Sequence, residues 1–125
     1  MILTVRQIMA ATLEISQIIR DKRPMPQRGK YRLAQMHAHL LPEYQVAAAK
    51  RDDLIKAYKF WSDTDNAYAV PPDHIEDFAR AWSEIEMIEI EVPVTPMPLA
   101  DFDLPGQNGG IEAAELAALG SLVAE

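Results

Sequence analysis

The chain has 125 residues, of which 49% are hydrophobic, and a formal net charge of −7. This length suits one domain with its own core, and the composition is unlike that of an intrinsically disordered protein. Because there is no cysteine, disulfides, thiolate-bound iron–sulfur clusters and cysteine-type zinc sites are excluded.

The amino-terminal segment carries the signature of a helix start. Thr4 and Gln7 have the spacing of a capping box, which predicts a helix from near Val5 to near Arg20. Its apolar residues recur at helical spacing, so one face should pack along another helix. Two prolines at positions 24 and 26 end the pattern, and so short a connection predicts a helical hairpin with the next element.

The longest predicted element is a central helix over Arg28–Trp61. Its apolar stripe repeats every seven residues at Leu33, Leu40, Ala47, Leu54 and Trp61. Pro42 interrupts this pattern because its ring crowds the preceding turn and it has no N–H to donate. The helix therefore either continues with a kink or divides near Leu41, and the kink is favoured because leucine is a poor N-cap.

Beyond a turn at Ser62–Asn66, the pattern predicts a short strand over Tyr68–Val70 and then a third helix. The third helix begins after Pro71 and Pro72, with acidic residues in its first turns. Its aromatic residues Phe78 and Trp82 are expected to pack against the central helix.

From Met87 to Val94 the hydrophobic period changes to two, which predicts a strand with one wet face. Tyr68–Val70 is the nearest candidate partner, so we expect a two-stranded antiparallel element laid against the helices. Residues 95–110 are predicted to be an extended and flexible segment, which either anchors across the surface or docks on a partner.

A short final helix is predicted over Ile111–Val123. The whole chain, residues 1–125, therefore reads as a single, mainly α domain. It comprises a helical hairpin with a long central helix, a third packed helix, a small two-stranded antiparallel β element and a short C-terminal helix.

Charge is divided unevenly along the chain. Residues 1–61 hold eleven of the twelve basic residues and five of the nineteen acidic ones, so this half carries +6 and the remainder −13. The two halves could attract each other, within one fold or between copies, or each could meet a charged partner. Six basic residues surround the hairpin turn and form the candidate nucleic-acid-binding site: Arg20, Lys22, Arg23, Arg28, Lys30 and Arg32.

The acidic half offers a candidate surface for a protein partner. Its carboxylates are predicted to face the basic groove of another protein, as a nucleic-acid mimic does. The residues are Glu84, Glu86, Glu89, Glu91, Asp101 and Asp103.

No catalytic, cofactor or metal site is predicted. His37 and His39 lie two apart on a helix and point about 200° from each other, so they do not favour a shared ion. His74 stands near acidic residues, but this is usually a surface feature. There is no nucleophile elbow, phosphate-binding loop or helical zinc motif, so an enzyme is not expected.

The apolar runs are shorter than the ~20 residues that cross a bilayer, and Arg6 and Glu14 interrupt the region where a signal peptide would be apolar. We therefore expect a cytoplasmic protein that makes no membrane contact.

Four stretches resemble a family of small, functionally uncharacterised proteins of tailed phages and prophages. They are Leu3-Thr4-Val5-Arg6-Gln7, the helix around Ala48–Leu54, Glu89-Ile90-Glu91-Val92-Pro93 and Ala114-Glu115-Leu116-Ala117-Ala118-Leu119. Pro42 and the Gly109-Gly110 pair depart from that family's pattern. The resemblance implies a phage-encoded accessory protein. The residues themselves, which show no catalytic pattern, predict a non-enzymatic protein that binds another protein, either as an inhibitor of a host or defence protein or as a virion or assembly component. It would work in the host cytoplasm or in the virion, and nucleic-acid binding through residues 20–32 is the alternative.

Overall fold

A computed structural model describes residues 1–22, 24–58, 60–62, 67–69, 74–102 and 113–124. These residues form a mainly helical domain, as predicted. Its helices are α1 (Val5–Arg20), α2 (Gln27–Tyr58), α3 (Ile75–Glu86) and α4 (Ala113–Leu119). Its short strands are β1 (Ile2–Thr4), β2 (Phe60–Ser62), β3 (Ala67–Ala69), β4 (Glu89–Glu91), β5 (Met97–Pro98) and β6 (Val123–Ala124).

Helix α1 begins at the predicted capping box. The Gln7 backbone N–H donates to Thr4 Oγ1 at 3.2 Å, and the Thr4 backbone N–H donates to Gln7 Oε1 at 2.8 Å. Two backbone donors at the start of the helix are thereby satisfied, which is why the helix starts at Val5.

Helices α1 and α2 form the predicted hairpin, and the core lies between them. Ile8, Ile15 and Ile18 of α1 are at most 2% exposed, as are Leu33 and Leu40 of α2. Burial of these side chains removes apolar surface from water, which is the main favourable term in folding. At the rim of this contact, Ser16 Oγ and His37 Nε2 lie 2.8 Å apart, within hydrogen-bond distance.

Helix α2 runs through Pro42 without a break, so of the two predicted alternatives, a kinked continuous helix or two separate helices, the continuity is confirmed. Pro42 and Ala38, whose carbonyl loses its usual donor four residues on, are both exposed, and water can bond to that carbonyl. The helix stops at Tyr58 rather than continuing to Trp61, because Phe60–Ser62 pairs with Ala67–Ala69 as a local hairpin.

The predicted pairing of the glutamate-alternating strand was wrong. Strand β4 pairs antiparallel with β1, in the register Ile2↔Glu91, Leu3↔Ile90 and Thr4↔Glu89, and β3 pairs with β2. A short connection closes the β2–β3 hairpin with a small loss of chain entropy. Strand β1 leads directly into α1, so pairing with it places β4 beside the core, where Leu3 is buried.

Helix α3 contacts α2, as predicted, but none of its residues is fully buried. Phe78 and Trp82 are half-buried. The Arg51 guanidinium lies 5.9 Å from the centroid of a Trp82 ring, a distance at which cation–π attraction contributes on the order of 0.5 to 1 kcal/mol at an exposed site. Helix α3 is therefore held more weakly than the α1–α2 hairpin.

The chain after β4 lies along the first half of α2 in the opposite direction. Thr95 lies near His39, and Asp101 contacts residues at the beginning of α2. Met97, Asp101 and Phe102 are buried, and residues 99–102 form a 3-10 helix, so the described part of this segment is anchored on the protein itself. The Gly109-Gly110 pair lies outside the described residues.

The final helix, α4, packs against α1 and places Leu119 in the core, and the 3-10 helix that follows it at Gly120–Leu122 adds Leu122. Strand β6 then pairs in parallel with β5, with Met97 opposite Val123. These contacts place the C-terminal helix, whose position could not be predicted from periodicity.

Thr12 is the one hydroxyl buried in the described α1 core, and its Oγ1 donates to the Ile8 carbonyl at 2.6 Å. That carbonyl is also the normal acceptor of the helix, so a valine leaves no acceptor unsatisfied. We expect Thr12→Val to change the free energy of unfolding by less than about 1 kcal/mol, whereas Thr12→Ala lowers it by about 1 to 2 kcal/mol because it leaves a gap. Urea denaturation of both variants checks this, and a valine variant less stable than the alanine variant would contradict it.

Candidate functional surfaces

The basic residues around the hairpin turn do not act as one free cluster. Arg20, Lys22 and Lys30 are exposed, and Lys22 adopts a positive φ of 52° where the turn leaves α1. Arg23 lies outside the described residues. Arg28 and Arg32 both bind Asp101, which is part of the acidic half of the chain.

Asp101 is fully buried, with a side-chain exposure of 0%, between these two arginines. Arg28 Nε donates to Oδ1 at 2.9 Å, and Arg32 Nη1 donates to Oδ2 at 2.6 Å. Each carboxylate oxygen therefore has its own charged donor, the arrangement that a buried carboxylate needs. We call Arg28, Arg32 and Asp101 the Asp101 ion triad.

Gly29 makes the triad possible by allowing two backbones to approach closely. A Cβ atom at this position would lie 1.8 Å from the Asp101 carbonyl oxygen and 2.7 Å from Met25 Cε. Only glycine fits here because a larger side chain has no room. The backbone conformation does not require glycine, since Gly29 lies in an ordinary helix.

The triad corrects the prediction for Asp101 and bears on the one for Arg28 and Arg32. Asp101 was expected to face a partner, but burial under two arginines removes its carboxylate from the surface. Arg28 and Arg32 were predicted to bind nucleic acid; both form an ion pair with Asp101, and their side chains remain 68% and 43% exposed. The attraction between the two halves within one fold, which the charge division suggested, therefore occurs at this point.

Four of the other predicted acidic residues lie at the end of α3 and in β4. We call these four residues the acidic edge: Glu84, Glu86, Glu89 and Glu91. Glu84 and Glu89 are exposed. Glu86 is half-buried and lies 3.7 Å from Arg6 Nε, and Glu91 lies 3.0 Å from the Met1 amino group. Asp103 lies outside the described residues.

Large apolar side chains are exposed beside the acidic edge. Ile2 is 61% exposed and stands directly opposite Glu91 in the ribbon, while Met87 and Ile88 are 60% and 51% exposed. Sequence reasoning missed these residues because it assigned Ile88 to the buried face of a longer strand. Strand β4 begins only at Glu89, so the burial alternation does not extend to Ile88.

The histidines do not converge. His37 is half-buried beside Ser16, His39 is exposed on α2, and His74 Nδ1 lies 3.9 Å from Asp77 Oδ2 at the start of α3. Within the described ranges, no group of three or more histidine, aspartate or glutamate residues is arranged to hold a metal ion.

In the same part of the chain, no helix has both the length and the hydropathy that crossing a bilayer requires.

The fold and its surfaces define a small, mainly helical domain with an internal ion triad at one end of α1 and an acidic edge at the other. No protein-family model, curated protein or solved structure matches the chain.

Proposed function

We propose that this chain is a non-enzymatic accessory protein of the phage type that acts by binding another protein through its acidic edge. The observation that carries this proposal is the exposed Ile2 side chain on the same side of the β1–β4 ribbon as Glu89 and Glu91, with exposed Met87 and Ile88 next to Glu89 in the chain. Apolar contacts supply most of the affinity in a protein interface, and complementary charge supplies orientation and association rate. The partner therefore offers apolar pockets surrounded by lysine or arginine.

The order of residues along this edge supports a continuous binding surface. Met87 and Ile88 lie between Glu86 and Glu89 in the chain, and Ile2 faces the same side of the ribbon as Glu89 and Glu91 because strand side chains alternate. A partner that covers Glu89 and Glu91 thus also covers Ile2.

Binding of nucleic acid through the hairpin turn is the alternative function, and the Asp101 ion triad weakens its support. Asp101 neutralises part of the charge of Arg28 and Arg32, so Arg20, Lys22 and Lys30 are the exposed cations of the described turn that Asp101 does not bind. The overall charge of −7 also opposes the approach of a polyanion.

The resemblance to tailed-phage proteins supports two settings for the interaction. In the first, the protein inhibits a host or defence protein in the cytoplasm of the infected cell. In the second, it is a virion or assembly component. A basic partner surface is required in both, so the same variants test both.

Charge reversal at the acidic edge should weaken partner binding. We expect Glu84→Lys combined with Glu89→Lys to lower capture of the partner at least tenfold, which corresponds to about 1.4 kcal/mol of binding free energy. The immobilised whole protein is incubated with nuclease-treated bacterial lysate, and bound proteins are quantified by mass spectrometry. The nuclease step removes proteins that are bridged by nucleic acid.

The matched control is Asp52→Lys combined with Asp53→Lys, which places the same charge change on an exposed part of α2. A partner retained by this control and lost from the edge variant supports the proposal. Equal losses from both variants would show that only net charge matters. A failure to capture any partner, together with absence from phage particles in electron micrographs, would contradict both settings.

A further inference from the structure

A polar cleft lies between the first half of α2 and the chain that follows β4, and it shares Arg32 with the Asp101 ion triad. Its volume is about 330 Å³, within the range of sites that hold small molecules. The residues that matter for recognition are Arg32, Gln35, Met36, His39, Val94 and Thr95.

Three of the polar residues share one side of a helix. Arg32, Gln35 and His39 are separated by three and four positions on α2, so their side chains project from the same face. Thr95 faces them from the opposite wall, which the segment between Pro93 and Pro96 forms. A guanidinium, a carboxamide, an imidazole and a hydroxyl thus line the same space.

The Asp101 ion triad prepares Arg32 for a ligand. Asp101 holds Nη1 of Arg32 at 2.6 Å, which restricts the orientation of the planar guanidinium, and the other N–H groups of that guanidinium are not part of this bond. When a long side chain is already fixed before binding, less conformational entropy is lost when the ligand binds. The triad contains two arginines and one aspartate, so it retains a net charge of +1.

The lining favours an anion over a cation. Among the described residues that line the cleft there is an arginine and a histidine but no aspartate or glutamate. A guanidinium offers several N–H donors in a planar fork, and amide, imidazole and hydroxyl groups add further donors. Such a set of donors matches the oxygen atoms of a phosphate group.

We propose that this cleft binds a small phosphate monoester. Arg32 and His39 bind the phosphate oxygens, Gln35 and Thr95 add hydrogen bonds, and the apolar side chains of Met36 and Val94 contact the attached organic group. The cleft is larger than a phosphate ion requires, which is why an ester rather than free phosphate is the ligand.

Nuclear magnetic resonance of the whole protein tests this. Glycerol 3-phosphate, inorganic phosphate and glycerol are titrated separately at constant ionic strength, with sodium chloride replacing the salt that each titration adds. We expect saturable shifts of the backbone amides of Gln35, His39 and Thr95 with glycerol 3-phosphate at millimolar or lower concentration. Inorganic phosphate should bind more weakly, and glycerol should cause no saturable shift.

Three histidine variants provide the specificity control. His39→Ala should raise the Kd for glycerol 3-phosphate at least fivefold, and His39→Gln, which keeps a donor, should recover part of the loss. His74→Ala removes a different exposed histidine, on α3, and should leave the Kd unchanged. Because His39 is exposed on a helix, alanine there does not endanger the fold.

Three outcomes would overturn the proposal: shifts that stay linear with concentration, equal Kd values for the two alanine variants, or equal binding of glycerol and its phosphate ester. Binding of inorganic phosphate as tightly as the ester would overturn the assignment of the ester as the ligand.

Discussion

Gly29→Ala is expected to lower the free energy of unfolding by about 2 to 4 kcal/mol, although alanine is the better helix former by about 1 kcal/mol. The new Cβ would lie 1.8 Å from the Asp101 carbonyl oxygen, so the 3-10 helix at residues 99–102 must move away from α2. That movement also separates Asp101 from its two arginines. Urea denaturation followed by circular dichroism measures the change.

Two substitutions separate this steric effect from backbone propensity. Ala38→Gly, at an exposed position of the same helix, should cost only about 1 kcal/mol. Gly120→Ala should cost about 1 to 2 kcal/mol, because Gly120 has a φ of +56° but nothing within 4 Å of a Cβ atom. A Gly29→Ala variant that is as stable as the parent would contradict the close approach of the two backbones.

Arg32→Ala is expected to destabilise the protein by about 2 to 4 kcal/mol, and more than Asp101→Ala does. Loss of Arg32 leaves the fully buried Asp101 carboxylate with Arg28 as its remaining charged partner in the triad, and a buried charge without its partner is costly. Loss of Asp101 instead leaves two arginines whose side chains are 68% and 43% exposed and can be hydrated. Chemical denaturation of the single variants gives the order.

The double variant isolates the interaction between the two residues. Because they are in contact, the combined loss for Asp101→Ala with Arg32→Ala should be smaller than the sum of the two single losses by about 1 to 3 kcal/mol. Arg28→Ala should cost less than Arg32→Ala, since Arg28 is the more exposed of the two. Additive losses, or a larger loss from Asp101→Ala than from Arg32→Ala, would contradict the role given to the triad.

The triad also affects which charges of the two halves of the chain remain available to a partner. Part of the basic turn is neutralised within the fold, whereas the acidic edge keeps Glu84 and Glu89 exposed. The charge that is available to a partner is therefore mainly negative, which is why the proposed partner is basic. The phosphate-binding cleft does not contradict this, because its positive charge is local and comes from the net charge of the triad.

Local features were predictable from the sequence because they depend on residues a few positions apart. The Thr4–Gln7 capping box determines where α1 begins. The seven-residue spacing of Leu33, Leu40 and Ala47 determines which side of α2 is buried. The mainly helical class of the fold follows from these periodicities.

Only the tertiary structure decided which distant segments meet. A strand pattern identifies a strand but not its partner, so β4 was predicted correctly as a strand and assigned to the wrong neighbour. Likewise, Asp101 is one acidic residue among nineteen until Gly29 allows its backbone to reach α2. Exposure of Ile2, Met87 and Ile88 depends on where β4 begins and on what covers it. Long-range packing therefore decides which residues come together in the candidate surfaces, and local periodicity does not encode that packing.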